Sequence, residues 1–403
     1  MSSDLLLPDR YILTREDLHV QLLIAHYSAR KNKSTKPYVA EFEANLEANL
    51  DELCDDLYYR RYKPLPSTRF LVTFPKPREI YAANYRDRIV HHLIYNMTHS
   101  LFERTFIYDT YSCIEGRGTH FGIERFAHQI RQCTHNYQRE AYILSMDIKG
   151  YFIHIDRELL YEITRDSLLK MSEHYAEHGI RYCQILDFDF LLYLLYEVIM
   201  LDPTIDCLTV GKESEYSVLP DSKILKRGSR KGLPIGNLTS QLLSNVFLNI
   251  LDQYIKRVLL FRYYGRYVDD FHLIDPSRER LRKAVPLITD FLHDELHLDI
   301  NQGKTHIVSA RQGAEFLGAF VKPHRIYISS QSLRRVYYRM DMELPYMSDE
   351  ERFASINSTL GVLSHYSSYN IRKELTDRYH HLYCGFAHCN EGRTKLVMNS
   401  IVD

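Results

Sequence analysis

The chain has 403 residues, more than one hydrophobic core ordinarily fills, so two or three packed subdomains are expected. Its 51 Lys and Arg balance 52 Asp and Glu, and the formal net charge of -1 excludes a global pull on a polyanion and confines any nucleic-acid surface to a local patch. Seven irregularly spaced cysteines and no signal-like N-terminus argue against a disulfide framework and lead to the expectation of a cytoplasmic protein with reduced thiols.

Residues 37 to 62 place Val39, Phe42, Leu46, Leu50, Leu53 and Leu57 at three- and four-residue intervals, which predicts an amphipathic helix. Arg69 to Phe74 is a short β-favouring run stopped by Pro75 and Pro77, and Glu79-Ile80-Tyr81 is its returning strand, so a small hairpin carries Lys76 and Arg78 near its tip. Helical spacing resumes from Arg86 to Phe102, and Gly116 and Gly118 mark a loop before another helix. Residues 141 to 146 form a mostly apolar run that ends in Asp147, so a buried strand delivers a carboxylate at its C-terminal edge. Asp156 is the N-cap of the helix that follows.

Leu186 to Leu201 is the most apolar stretch, yet it holds Asp187, Asp189 and Glu197 and falls short of a bilayer span; a buried helix and no membrane partner are expected. The polar stretch from 202 to 231, with Pro203, Gly211 and the basic cluster Lys223, Lys226, Arg227, Arg230 and Lys231, predicts a mobile connection. Leu238, Leu242, Val246, Phe247, Ile250, Tyr254 and Val258 then repeat at helical spacing for about five turns. Tyr263 to Tyr267 and Phe271 to Ile274 flank Val268-Asp269-Asp270 as two strands meeting at a tight turn, although the usual Gly or Asn is missing. Beyond about residue 330, Leu333, Tyr337, Leu360, Leu363 and Tyr366 mark a separate helical subdomain.

A strand ending in Asp147 beside a hairpin turn bearing Asp269 and Asp270 would gather three negative charges, a costly arrangement unless metal occupies it. Transfer of a nucleotidyl group needs such a set: two Mg²⁺ ions about 3.5–4 Å apart neutralise the attacking 3′ oxygen and the leaving pyrophosphate, and hard cations take oxygen ligands. The competing reading of Asp269 and Asp270 is a solvated, turn-favouring acidic pair. A zinc site from His380, His381, Cys384, His388 and Cys389 is disfavoured by the Cys-x4-Cys spacing and the lack of a second ligand pair.

The order of these features resembles that of bacterial reverse transcriptases through most of the chain. The residues that carry the resemblance are Ser145-Met146-Asp147-Ile148-Lys149-Gly150-Tyr151-Phe152, Gly232 to Gln241 (GLPIGNLTSQ), Tyr267-Val268-Asp269-Asp270 and Glu315-Phe316-Leu317-Gly318. Tyr85 to His92 and Gly116 to His120 look like the family's earlier motifs. The resemblance implies an α+β fold of the right-hand polymerase type: fingers, an antiparallel-sheet palm and a helical thumb. N-terminal helices and fingers are expected over 1–140, the palm with the catalytic site over 141–325 with a fingers-proximal insertion around 165–231, and the thumb over 326–403.

By matching position, Asp147, Asp269 and Asp270 would be the catalytic metal-binding carboxylates, joined by Ile148 beside the metal and the nucleotide. The implied cofactor is Mg²⁺, two ions, with Mn²⁺ as a substitute. Phe152 matches the steric gate that crowds a ribose 2′-OH, with a core aromatic as the competing reading. Lys76 and Arg78 match the residues that hold the incoming triphosphate, a task suited to a bidentate guanidinium. Ile235 and Gly236 would line the nucleotide, Lys304 matches a lysine that protonates leaving pyrophosphate, and Phe316, Leu317 and Gly318 match the primer grip, with an ordinary strand end as the competing reading of that run.

Ile235 and Gln241 stand where the family's usual form has Gln and Pro. This variant resembles the reverse transcriptases of diversity-generating retroelements, which copy an RNA template with frequent errors at adenines. Loss of an amide at position 235 would remove a polar contact near the nucleotide and loosen the geometric check on a new base pair, the competing reading being that Ile235 merely packs and fidelity is set elsewhere. The resemblance implies an RNA template, dNTPs, a DNA product and a basic accessory protein oligomer. Two alternatives stand beside it: an antiphage defence enzyme that makes cDNA from a partner noncoding RNA, with a second defence subunit, and a catalytically inactive RNA-binding scaffold.

Overall fold

The computed structural model of the chain describes residues 11–73, 76–177, 186–220 and 223–399. Helices α1 (Arg15–Arg30), α2 (Pro37–Glu43) and α3 (Leu46–Tyr58) precede strands β1 (Ser67–Val72) and β2 (Arg78–Ala82) and helices α4 (Tyr85–Glu103) and α5 (Thr119–Cys133). Strand β3 (Tyr142–Asp147) is followed by α6 (Tyr151–His154), α7 (Arg157–Glu177), α8 (Phe188–Ile199), β4 (Cys207–Thr209) and α9 (Leu238–Gln253). Next come β5 (Tyr263–Tyr267), β6 (Asp270–Asp275), α10 (Arg278–Leu296), β7 (His306–Ser309), β8 (Ala314–Phe316), β9 (Ala319–Lys322) and β10 (Arg325–Ile328). The C-terminal part holds α11 (Ser330–Met342), α12 (Asp349–Ser364), α13 (Tyr369–Arg378) and the strands β11 (Ala387–Cys389) and β12 (Leu396–Met398). The chain is thus α+β. Among the described residues no helix is long and apolar enough to cross a membrane.

Two compact units are formed, each from several chain segments. The first comprises Met1–Tyr108, Ile148–Leu259 and Leu287–Asn301. Its core is helical: α4 packs against α1 and α9, and α9 against α7, burying Leu18, Leu22, Ile89, Leu93, Leu242 and Phe247. The helix foreseen over 37–62 is broken in two at Ala44 and Asn45, where Asn45 leaves the helical region (φ -133°, ψ 45°) and Asn49 donates to the Phe42 carbonyl at 2.9 Å. Helix α9 continues into a π-helical turn, Tyr254–Val258. Asp187 caps the buried α8 by accepting from the Phe190 amide, as Asp156 accepts from the Glu158 and Leu159 amides before α7.

The described residues of the stretch 202–231, 202–220 and 223–231, depart from the mobile connection foreseen for them, because hydrogen bonds tie them at several points. Its strand β4 adds in parallel to β1, making a three-stranded sheet in the order β2-β1-β4. The buried Glu79 carboxylate accepts from the Leu225 amide at 3.0 Å, Tyr216 donates to the Val210 carbonyl at 3.0 Å, and Asp202 accepts from the Gly228 amide at 2.9 Å. Polarity here satisfies backbone groups rather than solvating a loose chain.

The second unit comprises Asp109–Asp147, Leu260–Pro286 and Gln302–Asp403. Its centre is a four-stranded sheet in the order β5-β6-β3-β7, antiparallel throughout, with α5 packed on β5 and β6. Apolar residues at alternate positions on one sheet face and at helical spacing on α5 make this core: Ile143 and Ile274 meet Ile123, Phe126 and Ile130. A three-stranded sheet, β10-β9-β8, lies beside it and leads into α11. The helices foreseen beyond residue 330 are present around Met340, Ile356, Leu360, Leu363 and Leu375, with an added hairpin of β11 and β12 that the sequence did not announce.

One buried acid in the helical unit gives a pH-dependent term. Asp87 is 2% exposed and accepts from the Tyr62 hydroxyl at 2.9 Å and the Leu65 amide at 2.8 Å, yet burial outweighs these bonds and pushes its carboxyl up to about 6. A folded-state value above the unfolded one of about 3.9 means that the folded chain takes up the proton first. This contribution is therefore complete below about pH 4 and is lost as pH rises through about 6, a change on the order of 2–3 kcal/mol. Asp87→Asn is expected to flatten the melting temperature across that window, measured by thermal unfolding of variant and wild type in a pH series.

Candidate active site

Strand β3 runs antiparallel to β6 with Asp147 directly opposite Asp270, and β6 runs antiparallel to β5 with Tyr267 opposite Asp270. The register leaves Val268 and Asp269 as the whole turn. Asp147 and the adjacent pair Asp269 and Asp270, 122 residues further along the chain, thus come to one end of a single sheet within one unit. Like charges directly across an antiparallel pair are destabilising, and Asp147 is only 8% exposed. A cation answers that cost: Lys304, on the short 3₁₀ turn Gln302–Lys304, places Nζ 2.6 Å from Asp147 Oδ1. The lysine side chain is about half exposed and the aspartate nearly buried, so water screens the pair only from one side.

The donors suit a hard divalent cation in kind, since all three side chains offer carboxylate oxygens. They are not closed into a cage: among the described residues no group of three or more His, Cys, Asp and Glu side chains is arranged to hold a metal ion. That holds equally for the histidines and cysteines of the C-terminal segment. One oxygen of Asp147 is engaged by Lys304, so a cation entering here would share that carboxylate with the ammonium or displace it.

The turn is held in an unusual backbone. Val268 has φ +56°, the left-handed region that a β-branched residue rarely adopts, in a position where two-residue hairpins ordinarily use Gly or Asn. Below the carboxylates on the same sheet face stand Ser145, His272 and Gly265, in cross-strand register. His272 is wholly buried between Tyr111, Phe126 and Phe316, its Nε2 2.9 Å from Gln129 Oε1, and burial holds its imidazole down at about 3, so it is neutral. Tyr111 lies over Gly265 so closely that a Cβ there would collide with its hydroxyl.

The expected nucleotide-contacting residues belong to the other unit, where the loop of Ile235 and Gly236 meets Phe152 and strand β2. The Leu233 amide donates to the Phe152 carbonyl at 2.7 Å and the Gly232 amide to the Ile155 carbonyl at 2.8 Å, which seats the Gly232–Gly236 loop on α6. Gly236 has φ +116°, and a Cβ there would lie 3.0 Å from Ile80 Cγ2 of β2, the strand that begins with Arg78. Asn237 accepts from the Ala83 amide at 3.2 Å, and His91 Nδ1 lies 2.7 Å from Thr239 Oγ1, so the loop is tied to β2 and α4. Phe152 and Ile235 are half-buried and Gly236 exposed. Ile148 is 1% exposed, which leaves only its backbone for any contact with nucleotide or metal. Lys76 follows directly on Phe74 and Pro75 of the hairpin tip, which lie outside the described residues.

In the sheet unit, Leu317 and Gly318 form the two-residue turn between β8 and β9, with φ +51° and +80°. Phe316 is 3% exposed and packs its ring on Phe126 and His272. Its side chain belongs to the core, and only the turn itself is presented at the surface.

The reverse transcriptase (RNA-dependent DNA polymerase) family matches residues 74–321, more than half of the chain. The chain belongs to the reverse transcriptase family; it is an RNA-directed DNA polymerase by class, a nucleotidyltransferase. Reverse transcriptase domains use divalent metal ions and work with an RNA template and a DNA product. Protein YkfC of Escherichia coli (strain K12) is 25% identical over 310 residues, covering 68% of this chain and 72% of that protein. Among solved structures, telomerase from Candida albicans in complex with the TWJ fragment of telomeric RNA is similar over 79% of this chain and 55% of its own (13% identity, TM-score 0.46). Apo telomerase from Candida tropicalis is similar over 79% and 58% (12% identity, TM-score 0.48). The chain thus spans a little over half the length of those telomerases.

The packing under the carboxylates is directly testable. Gly265→Ala is expected to destabilise by roughly 1–3 kcal/mol, the usual cost of overpacking, because Tyr111 must move. Combining it with Tyr111→Phe, which deletes the colliding hydroxyl, should recover part of the loss in denaturant titrations; strictly additive effects would contradict the contact.

Proposed function

We propose that this chain copies an associated RNA into cDNA with Asp147, Asp269 and Asp270 as the ligands of two Mg²⁺ ions, Mn²⁺ substituting. The carrying observation is the register that sets Asp147 opposite Asp270 with Asp269 next to it in the turn. When bound, the ions supply Lewis-acid neutralisation at the attacking 3′ oxygen and the leaving pyrophosphate. The carboxylates hold and orient that charge. Lys304 gives a proton to the leaving group, a role supported by its ammonium lying beside the Asp147 carboxylate. Phe152, seated by the Leu233 amide, excludes a ribose 2′-OH, while Lys76 and Arg78 bind the triphosphate and Leu317 and Gly318 seat the primer end.

The finer reading is error-prone copying of a diversity-generating retroelement template in the cytoplasm, with a basic accessory oligomer supplying the affinity for nucleic acid that a net charge of -1 does not. Ile235 supports it: this half-buried aliphatic side chain presents no hydrogen-bond donor or acceptor to a base pair.

Primer extension on an RNA template with Mg²⁺ and dNTPs tests both levels. Asp269→Ala with Asp270→Ala is expected to abolish incorporation, and Phe152→Val to raise ribonucleotide incorporation at least tenfold, on the order of 1–2 kcal/mol of discrimination. Sequenced products should carry errors concentrated opposite template adenines, reduced by Ile235→Gln. Full incorporation by the double Asp variant would remove the site, and uniform, rare errors would remove the diversification role alone.

A further inference from the structure

The strained residue of the hairpin turn is gripped at both of its polar backbone atoms by side chains. The Val268 amide donates to Ser112 Oγ at 3.1 Å, and its carbonyl accepts from Arg266 Nη1 at 3.0 Å. That carbonyl belongs to the peptide that continues into Asp269. Arg266 is 0% exposed and is the bulkiest of the fully buried side chains. Burying a guanidinium is costly unless its donors are used, so an arginine inside this core calls for a reason beyond packing.

The segments that carry these two residues are tied together through the backbone. The Arg266 amide donates to the Asp109 carbonyl at 2.9 Å and its carbonyl accepts from the Tyr111 amide at 2.9 Å, with Thr110 bridged to Arg266 in parallel. A single parallel bridge at Thr110 therefore holds residues 109–111 beside β5, and the chain that follows delivers Ser112, 1% exposed, to the turn. Asp109 is fixed in turn by Arg125 of α5 at 2.8 Å. The turn thus hangs on a fixed frame rather than on its own propensity.

We propose that Ser112 and Arg266 are positioning residues that hold Val268 left-handed and so set the Asp269 and Asp270 carboxylates for a divalent cation before it arrives. A β-branched residue at φ +56° relaxes unless its surroundings over-determine it, and here one acceptor and one cationic donor do so. The guanidinium also adds a fixed positive charge beside the peptide that joins the turn to the carboxylates, offsetting the repulsion among Asp147, Asp269 and Asp270. This inference rests on the reading of those aspartates as metal ligands.

The test measures Mn²⁺ binding by electron paramagnetic resonance, alongside the Mg²⁺ dependence and the dNTP KM of primer extension, for wild type, Ser112→Ala, Arg266→Lys and Asp269→Asn. Ser112→Ala should raise half-saturating Mn²⁺ and Mg²⁺ about tenfold, the effect of one lost hydrogen bond, with dNTP KM within about twofold. Adding Val268→Gly should restore most of that affinity, because glycine takes a positive φ without support. Unchanged Mn²⁺ affinity in both Ser112→Ala and Arg266→Lys, with Asp269→Asn defective, overturns the positioning role and leaves the metal site standing. Unchanged affinity in Asp269→Asn removes the metal reading itself. Arg266→Lys keeps the charge, so if it unfolds the chain, Ser112→Ala with its glycine rescue decides.

Discussion

Two carboxylates facing each other across an antiparallel strand pair are the constraint from which the rest of the sheet unit follows. The pairing of Asp147 with Asp270 is intrinsically unfavourable, and the unit answers it with cations: Lys304 on Asp147 itself and Arg266 on the peptide preceding Asp269. A sheet built for stability alone would place a neutral or opposite-charge pair there. The arrangement makes sense as a site that is stable only because compensating positive charge is at hand and that gains when a divalent cation supplies more.

Rigidity beneath that end of the sheet is bought with close packing. Gly265 yields its side-chain space to Tyr111, Phe126 and Phe316 enclose a neutral His272, and α5 covers the same face. An interior packed this tightly deforms little, so the positions of the strand ends above it are well defined. In the helical unit the equivalent task falls to hydrogen bonds: the Gly232–Gly236 loop has its amides tied to α6, Asn237 tied to the residue after β2, and Thr239 tied to His91. Each unit thus fixes its own set of residues, the carboxylates at one end of the sheet in one and the Gly232–Gly236 loop in the other.

Much of this was legible in the sequence where a local pattern carried it. The apolar run ending at Asp147, the alternation on either side of Val268-Asp269-Asp270 and the long repeat from Leu238 each appear as elements near the foreseen bounds, because period and burial agree there. Strand β4 escaped notice because its three residues earn their conformation from pairing with β1, and the break at Asn45 because apolar spacing continues across it. Ser112 and Arg266 could not be read at all. Ser112 lies 156 residues from its partner, and an arginine in a β run looks like a solvent-facing residue until its full burial and its bond to the Val268 carbonyl are seen. The one available signal was Val268 itself, a β-branched residue where a tight turn asks for glycine, which implied outside support. Phe316 reads alike in a primer grip and in a core, and its burial assigns it to the core.

The account stands on the carboxylates at the end of β3 and in the β5–β6 turn jointly holding divalent metal. A crystal structure with Mn²⁺ and an incoming nucleotide, with the ions located by anomalous scattering, tests this most directly. Peaks bridging Asp147 and the Asp269–Asp270 turn, with Lys304 moved off Asp147 toward the phosphates, are expected. Peaks confined to other parts of the chain, with the Lys304–Asp147 pair intact, would contradict it.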